Sequence, residues 1–305
     1  MSATAASTPA VAPRRRKRSR VPWFSLAAIA PAIIIVSLFT LLPLVWAVRT
    51  SFERNNGVRS RWVGLENYRR LLGDSQFWDI LLNNVIFLLA VPGVLTLALI
   101  AAALIYEQVP GHRIFRFVLF VPTIISTVVV GILFRAFFAL HGPVNRLIEL
   151  FGAAPVDWLG EGSTAMFVII LALVWGGFGY GMVVLLAGMS SIDPSLHEAA
   201  RIDGARWSQR VRLITLPLIA RPIRFVSVLN VSYTFTSLFG YIFVMTSGGP
   251  GFETTTLDYF VYNRAFVASQ FGMAAALGLI LLSIVLVLTV IQFRVTRVDD
   301  GAERR

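Results

Sequence analysis

The stretch "TAMFVIILALVWGGFGYGMVVLLAGM", Thr164 to Met189, runs for 26 residues without a charged side chain. A bilayer's hydrocarbon core, ~30 Å thick, is crossed by roughly 20 residues of helix, so this run is long enough to span it. Lipid offers no water to replace a lost backbone hydrogen bond, and within one segment only a helix satisfies its own peptide groups. Five further apolar runs, at 23–48, 80–106, 117–134, 225–246 and 271–293, carry the same implication. The expectation is an all-α integral membrane protein with six transmembrane helices. Composition agrees: 56% of the residues are hydrophobic and 14% charged, which excludes an ordinary soluble enzyme. The chain has no cysteine, hence no disulfide and no thiolate metal site.

The first run follows the basic cluster "RRRKRSR", Arg14 to Arg20, as a signal peptide would. It is longer than an h-region of about 7–15 residues and no small-residue cleavage site follows it, so it reads as a retained first span. The chain then divides into a basic tail at 1–20, a first span with its connection at 21–77, a five-span core at 78–293 with a polar loop at 190–217, and a tail at 294–305. Arginines 113, 116, 201, 206, 210, 212, 221, 224, 294, 297, 304 and 305 fall, with the basic tail, on one side of this arrangement. By the positive-inside rule that side is cytoplasmic, and both termini with it. One connection dissents: Arg49, Arg54, Arg59, Arg61, Arg69 and Arg70 lie between the first two spans. The net charge of +11 reads as a topology signal and an affinity for anionic lipid. No nucleic-acid partner is expected, since the arginines are scattered without stacking aromatics.

Between the fourth and fifth spans lies "EAARIDGARWSQRVRLITLP", Glu198 to Pro217, which is half polar. It has its own helical grammar. Asp193 with Pro194 at a first helical position, and Ser195 three residues before Glu198 in a capping-box pattern, predict a start. Gly204 stands where a left-handed cap would end a helix of two to three turns. Leu196, Ala199, Ala200 and Asp203 share one face, and the small side chains allow another surface to approach closely. An amphipathic helix resting on lipid is the plainer reading, but alanines make too thin an apolar face for it.

The spaced set Glu198, Ala199, Ala200, Asp203, Gly204, Ile214, Leu216 and Pro217 resembles the loop signature of bacterial binding-protein-dependent ABC import permeases. A bare Glu-Ala-Ala carries no information; the whole set, in a connection before a membrane span, is specific. The resemblance implies a type I importer permease fold and a coupling helix between helices 4 and 5. That helix docks on a separate ATP-binding subunit, with Glu198 making the polar contact and Ile214, Leu216 and Pro217 locking the loop against the bundle. ATP and magnesium would act on that partner, with no cofactor in this chain. Lys17 is the only lysine, so no Gly-rich phosphate-binding loop with its lysine is present. The resemblance further implies a second permease subunit, two ATP-binding subunits, an extracytoplasmic solute-binding protein and a bacterial inner membrane.

A translocating subunit needs polar groups at membrane depth. Ser227, Asn230, Thr234 and Ser237 fall at i, i+3, i+7 and i+10, with Tyr233 beside them, and form one stripe in the fifth span. In the fourth, "WGGFGYG", Trp175 to Gly181, places four glycines among aromatics. Glycines there either loosen the helix beside a watery cavity or allow close helix packing, and both readings stand. Sugar rings stack on aromatics and bond through their hydroxyls, so Trp175, Gly177, Tyr180, Asn230, Tyr233 and Thr234 form a candidate sugar pathway with Ser227 and Ser237. Arg135, at the end of the third span, can snorkel to the interface.

The segment "TSGGPGFETTTLDYFVYNRAF", Thr246 to Phe266, resembles the outer loop of the carbohydrate branch of these permeases, the maltose- and glycerol-phosphate-type proteins. The resemblance places Gly248, Gly249 and Pro250 against the solute-binding protein. "RWVGLENYRRLL", Arg61 to Leu72, and "HGPVNRLIELFG", His141 to Gly152, carry the same likeness. His112, His141 and His197 are dispersed, so no metal cluster is expected, and no nucleophile–base pairing points to catalysis. Two other classes remain in play. A secondary carrier would need an ionisable group within a span, where none is found, and a non-transporting membrane scaffold would leave the polar loop without a use.

Overall fold

The computed structural model describes residues 23–302. The predicted basic tail, 1–20, lies outside them. The chain forms two compact units, Met1–Trp46 and Ala47–Arg305. The connection that follows the first apolar run clusters with the second of these units. In the first unit, α1 (Trp23–Val36) passes through a wide π-type turn, Ser37–Leu41, into α2 (Leu42–Ser51), whose residues from Ala47 on belong to the second unit. Pro43, which has no amide N–H to give, stands just after that turn. The large apolar side chains here are exposed, Phe39 to 78%, as on a helix solvated by lipid.

The second unit opens with an antiparallel hairpin, β1 (Glu53–Asn55) and β2 (Ser60–Trp62), pairing Glu53 with Trp62 and Asn55 with Ser60. This departs from the purely helical expectation. The hairpin lies in a connection rather than in a span, where water can satisfy strand edges that lipid cannot. After α3 (Glu66–Leu72), the second apolar run begins at residue 75 instead of 80, because Asp74 caps α4 (Ser75–Phe87) through Gln76 N–H at 3.0 Å. A turn at Leu88–Leu89, just ahead of Pro92, leads into α5 (Ala90–Tyr106).

Two predicted straight spans are bent. The third run is split into α6 (His112–Ile124) and α7 (Thr127–Phe137), which meet at 99° across an extended Ile125–Ser126. Pro122, in the last turn of α6, removes a donor at that point. After α8 (Pro143–Leu150) comes α9 (Gly162–Ser190), 29 residues without interruption, then α10 (Pro194–Ile202). The short α11 (Trp207–Arg210) and α12 (Leu216–Leu218), joined by a second π-type turn, run into α13 (Ala220–Thr236) with a 71° bend. The fifth predicted span, 225–246, thus starts earlier and breaks at Ser237–Leu238, beyond which lie α14 (Phe239–Met245) and α15 (Leu257–Tyr262). The last helix, α16 (Phe271–Ala302), continues past residue 293 into the predicted tail, where no proline interrupts it. Among the described residues, four runs are long and apolar enough to cross a membrane alone, Ala27–Ser51, Ser75–Tyr106, Gly162–Ser190 and Phe271–Arg294; the two bent pairs bring the number to six if each is one span.

The core is the seam between α5 and α9. Ala98, Ala101, Ala102 and Ala103 are buried on α5, while Val168, Ile169, Ala172, Met182 and Leu185 are buried on α9. A β-carbon on Gly181 would sit 3.0 Å from that of Ala98 and 3.2 Å from Val226, so this glycine sets the approach of three helices. One on Gly179 would meet the Leu119 carbonyl at 2.7 Å. Gly179 and Gly181 therefore serve close packing, and α9 runs through the motif as unbroken helix.

Side chains from other segments close the breaks. Phe239 N–H, freed at the start of α14, donates to Asp258 Oδ2 at 2.7 Å, and Tyr259 N–H and the Thr256 hydroxyl donate to Oδ1. Arg135 does not reach past the helix ends: its Nη1 donates to Val244 O at 3.0 Å near the end of α14. Asn84, fully buried, accepts from Leu257 N–H at 2.9 Å and donates to Thr234 O at 3.3 Å, tying α4 to both α13 and α15. Replacing Asn84 by Leu leaves two buried backbone groups unpaired, so we expect Asn84→Leu to lower stability by about 1–3 kcal/mol per group left unsatisfied. Thermal unfolding of the detergent-solubilised protein measures it; an unchanged midpoint would show that water takes over the Asn84 role.

Candidate functional site: a coupling loop and a membrane cavity

Helix α10 is set by both of its ends. Asp193 is the N-cap, accepting from Ser195 N–H at 3.0 Å, and Pro194 takes the first helical position. The predicted Ser195–Glu198 capping box does not form, because Asp193 already holds the cap and places Ser195 one turn position too late. The Ser195 N–H holds the Asp193 carboxyl below the usual carboxylate range. At the other end Gly204 adopts φ +75°, and Ala205 N–H and Gly204 N–H return to Ala200 O and Arg201 O at 2.9 and 3.1 Å, a Schellman-type stop. Glu198, Ala199, Asp203 and Gly204 are exposed, and Ala200 is half-buried. His197 turns inward, buried beside the Tyr106 ring at 5.9 Å.

Sequence reasoning missed Ile202. It is 86% exposed on α10 and occupies a gap in the motif, where the spaced pattern says nothing; an isolated isoleucine before Asp203 was the available signal. It missed the anchor of the loop as well. Glu107, at the end of α5, pairs with Arg201 Nη2 at 3.5 Å and Arg210 Nη2 at 3.8 Å, and Arg210 Nη1 donates to Ala205 O at 3.1 Å. Of the three predicted locking residues, Ile214 and Leu216 are half-buried and Pro217 is exposed. The buried members of that stretch are Thr215 and Ile219.

Between α5, α9 and α13 lies a cavity of about 470 Å³, within the usual range for small-molecule sites. Gly177, Tyr180, Asn230, Tyr233 and Thr234 line it, as do Thr123, Gly176 and Tyr241. Trp175 does not; it packs on Phe134 at 5.8 Å. Ser227 and Ser237 are also outside the lining, Ser227 bonded to Ile223 O at 2.8 Å and Ser237 at the end of α13. The remaining stripe turns donors back on its own helix, Asn230 Nδ2 to Val226 O with one of its two N–H groups and Thr234 Oγ1 to Asn230 O, both at 2.9 Å. What faces the cavity is therefore acceptor-rich, the Asn230 carbonyl lying 3.7 Å from the β-position of Gly177. The buried Thr123 hydroxyl has no hydrogen-bond partner, and the phenols of Tyr233 and Tyr241 are bonded to each other. No lining residue is Asp, Glu, Lys, Arg or His.

At the opposite connection, Gly248 is buried under Tyr259, while Gly249 and Pro250 are half-buried. Thr254 and Thr255 donate to Gly249 O and Gly248 O at 2.7 and 3.0 Å, and Asn83 Nδ2 holds Phe252 O and Thr255 O at 2.9 and 3.0 Å. The exposed tip of this loop is Gly251, Phe252 and Glu253, one step beyond the predicted contact. Among the described residues no group of three His, Cys, Asp or Glu side chains could hold a metal.

This arrangement has relatives. The chain is 34% identical over 276 residues to the lactose transport system permease protein of Rhizobium radiobacter, covering 88% of this chain and 92% of that one. It is 35% identical over 271 residues to the sn-glycerol-3-phosphate transport system permease protein of Agrobacterium fabrum, covering 87% and 92%. In fold it resembles a chain of a bacterial ABC transporter involved in import of the acidic polysaccharide alginate, with a TM-score of 0.81 at 24% identity over 90% of this chain and 95% of that one. Residues 94–297 match the family of binding-protein-dependent transport system inner membrane components, and the protein belongs to that family.

Proposed function

We propose that this chain is one of two transmembrane subunits of an ATP-driven importer for a neutral, hydroxyl-rich solute, a sugar or polyol. The observation that carries the solute class is the uncharged cavity: acceptors, phenols and one free hydroxyl, with no cation to neutralise a phosphate or carboxylate. Of the substrates named for its relatives, lactose fits such a lining and glycerol phosphate does not. Side chains that hydrogen-bond a sugar hydroxyl discriminate strongly against a ligand lacking it, because the buried partner is then left unpaired.

The coupling reading rests on α10. Its exposed Glu198, Ala199 and Ile202 offer a small polar and apolar face to an ATP-binding subunit, while Glu107 ties that face to α5, which runs up to the cavity. The side bearing α10 and both termini is cytoplasmic in this reading, and the hairpin and the 246–256 loop face a solute-binding protein outside. ATP, with magnesium, is held by two partner subunits. Their closure moves the equilibrium between inward-open and outward-open only as far as they bind one state better, so slack in the loop would waste it.

Three outcomes test this. In proteoliposomes containing the partner permease, ATPase and solute-binding protein, Glu198→Lys should reduce ATP-dependent uptake of labelled solute to background while the complex still purifies as folded protein; persistent uptake would sink the coupling role. Asn230→Leu should raise the half-saturating solute concentration about tenfold, the equivalent of one hydrogen bond of ~1.4 kcal/mol, with basal ATP turnover unchanged. Equal uptake of neutral and phosphorylated sugars by the native protein would contradict the solute class. For α10 itself, a lowered Asp193 pKa means that the cap is fully present above the ordinary carboxyl range and lost as the pH falls through the lowered value. The protection of the 195–198 amides against hydrogen exchange, relative to free amides at the same pH, should accordingly fall only below the ordinary carboxyl range, and Asp193→Ala should show the reduced protection at every pH.

A further inference from the structure

The six arginines that dissent from the positive-inside pattern have no part in the coupling loop or the cavity. The fold gathers four of them. Arg54, Arg59, Arg61 and Arg70 line a polar pocket of about 570 Å³ formed by the β1–β2 hairpin, α3 and the start of α16. Asn67 holds the hairpin over α3 by donating to Ser51 O at 2.7 Å and Glu53 O at 3.0 Å. Gly272 lets α16 butt against the strand, since any side chain there would collide with the Glu53 carbonyl. Gln270 and Met273 bring the positive end of this 32-residue helix to the same pocket.

Charge in the pocket is unbalanced. Arg54 and Arg70 share one carboxylate, Glu66, and Glu53 is engaged by Arg49 and Ser60. Arg59 and Arg61 have no carboxylate partner among the described residues. Four guanidinium groups therefore line the pocket while one acid, Glu66, serves two of them, in a place where each positive charge also weakens the topology signal. The side chains of Arg54 and Arg70 are more than half exposed, so the pocket is an open surface rather than an enclosed ligand cavity. The planar fork of arginine fits carboxylates two bonds at a time.

We infer that this hairpin pocket is a docking surface for acidic side chains on the importer's solute-binding protein, separate from the 246–256 loop. The inference rests on the reading above that such a protein loads the chain from this side. An open array of arginines acts mainly by steering a negatively charged partner and setting its register, with a strong dependence on salt.

The test uses the assembled transporter in nanodiscs of phosphatidylcholine, with its own solute-binding protein passed over it at 50 and 300 mM NaCl. The double variant Arg59→Glu, Arg61→Glu should weaken binding about tenfold at low salt and flatten the salt dependence. Arg59→Lys, Arg61→Lys should retain most of the affinity, and Arg69→Glu, outside the pocket, should change it little. Maximal ATP turnover at saturating solute-binding protein should be preserved, which also shows that the variant is folded. Unchanged affinity and salt slope in the charge-reversed variant would overturn the inference. So would a defect confined to association with vesicles containing 30% phosphatidylglycerol, which would assign the pocket to lipid. In either case ATP-dependent uptake by the native complex would still stand; only if native uptake needed no solute-binding protein would the functional reading itself fall.

Discussion

A peptide group without a partner is costly in hydrocarbon, and the construction of this bundle follows from that cost. Continuous helices such as α9 meet it alone. Where the chain bends inside an apolar run, something else must supply the missing bond, and the structure shows what does. The carboxylate of Asp258 caps α14 across the break at Ser237–Leu238, Arg135 takes the Val244 carbonyl near its other end, and Asn84 joins α4 to the backbones of residues 234 and 257. The polar residues of the 246–258 loop are thus structural parts of the fifth span as much as surface features.

The same economy explains the cavity. The glycines of α9 let the backbone of α6 and side chains of α5 and α13 approach closely, and the space that remains lies where Gly176 and Gly177 face Asn230 and Tyr241. Because Asn230 and Thr234 each bond their own helix, the cavity surface is mostly acceptor and ring. Packing and pathway share one sequence motif, which is why the two readings of "WGGFGYG" could not be separated on the sequence: Gly179 and Gly181 pack, Gly177 lines the space, and Trp175 belongs to a different aromatic cluster.

Membrane class, the positions of the apolar runs and the stop of α10 at Gly204 were legible because each depends on local composition or a local backbone requirement. The 99° bend at residues 125–126 was not, since hydropathy averages over it, although Pro122 marked the place. The cap of α10 was half legible: Asp193 and Ser195 compete for one role, and only the backbone decides between them. Asp258 and Glu107 were out of reach, because their partners lie about 20 and 100 residues away and no spacing rule connects them. Five of the eight predicted pathway residues line the cavity; of the stripe, Ser237 lies past the end of α13 and Ser227 turns its hydroxyl back to Ile223 O.

The clasp at Glu107 has a mechanical meaning. One carboxylate receives an arginine from α10 and another from α11, so the two short helices and the end of α5 form a triangulated frame. In the coupling role proposed for α10, a push on its exposed face would reach α5 through that corner. Since the bracing is ionic and partly open to water, dissolved salt screens it, and the frame is looser in concentrated salt than in dilute.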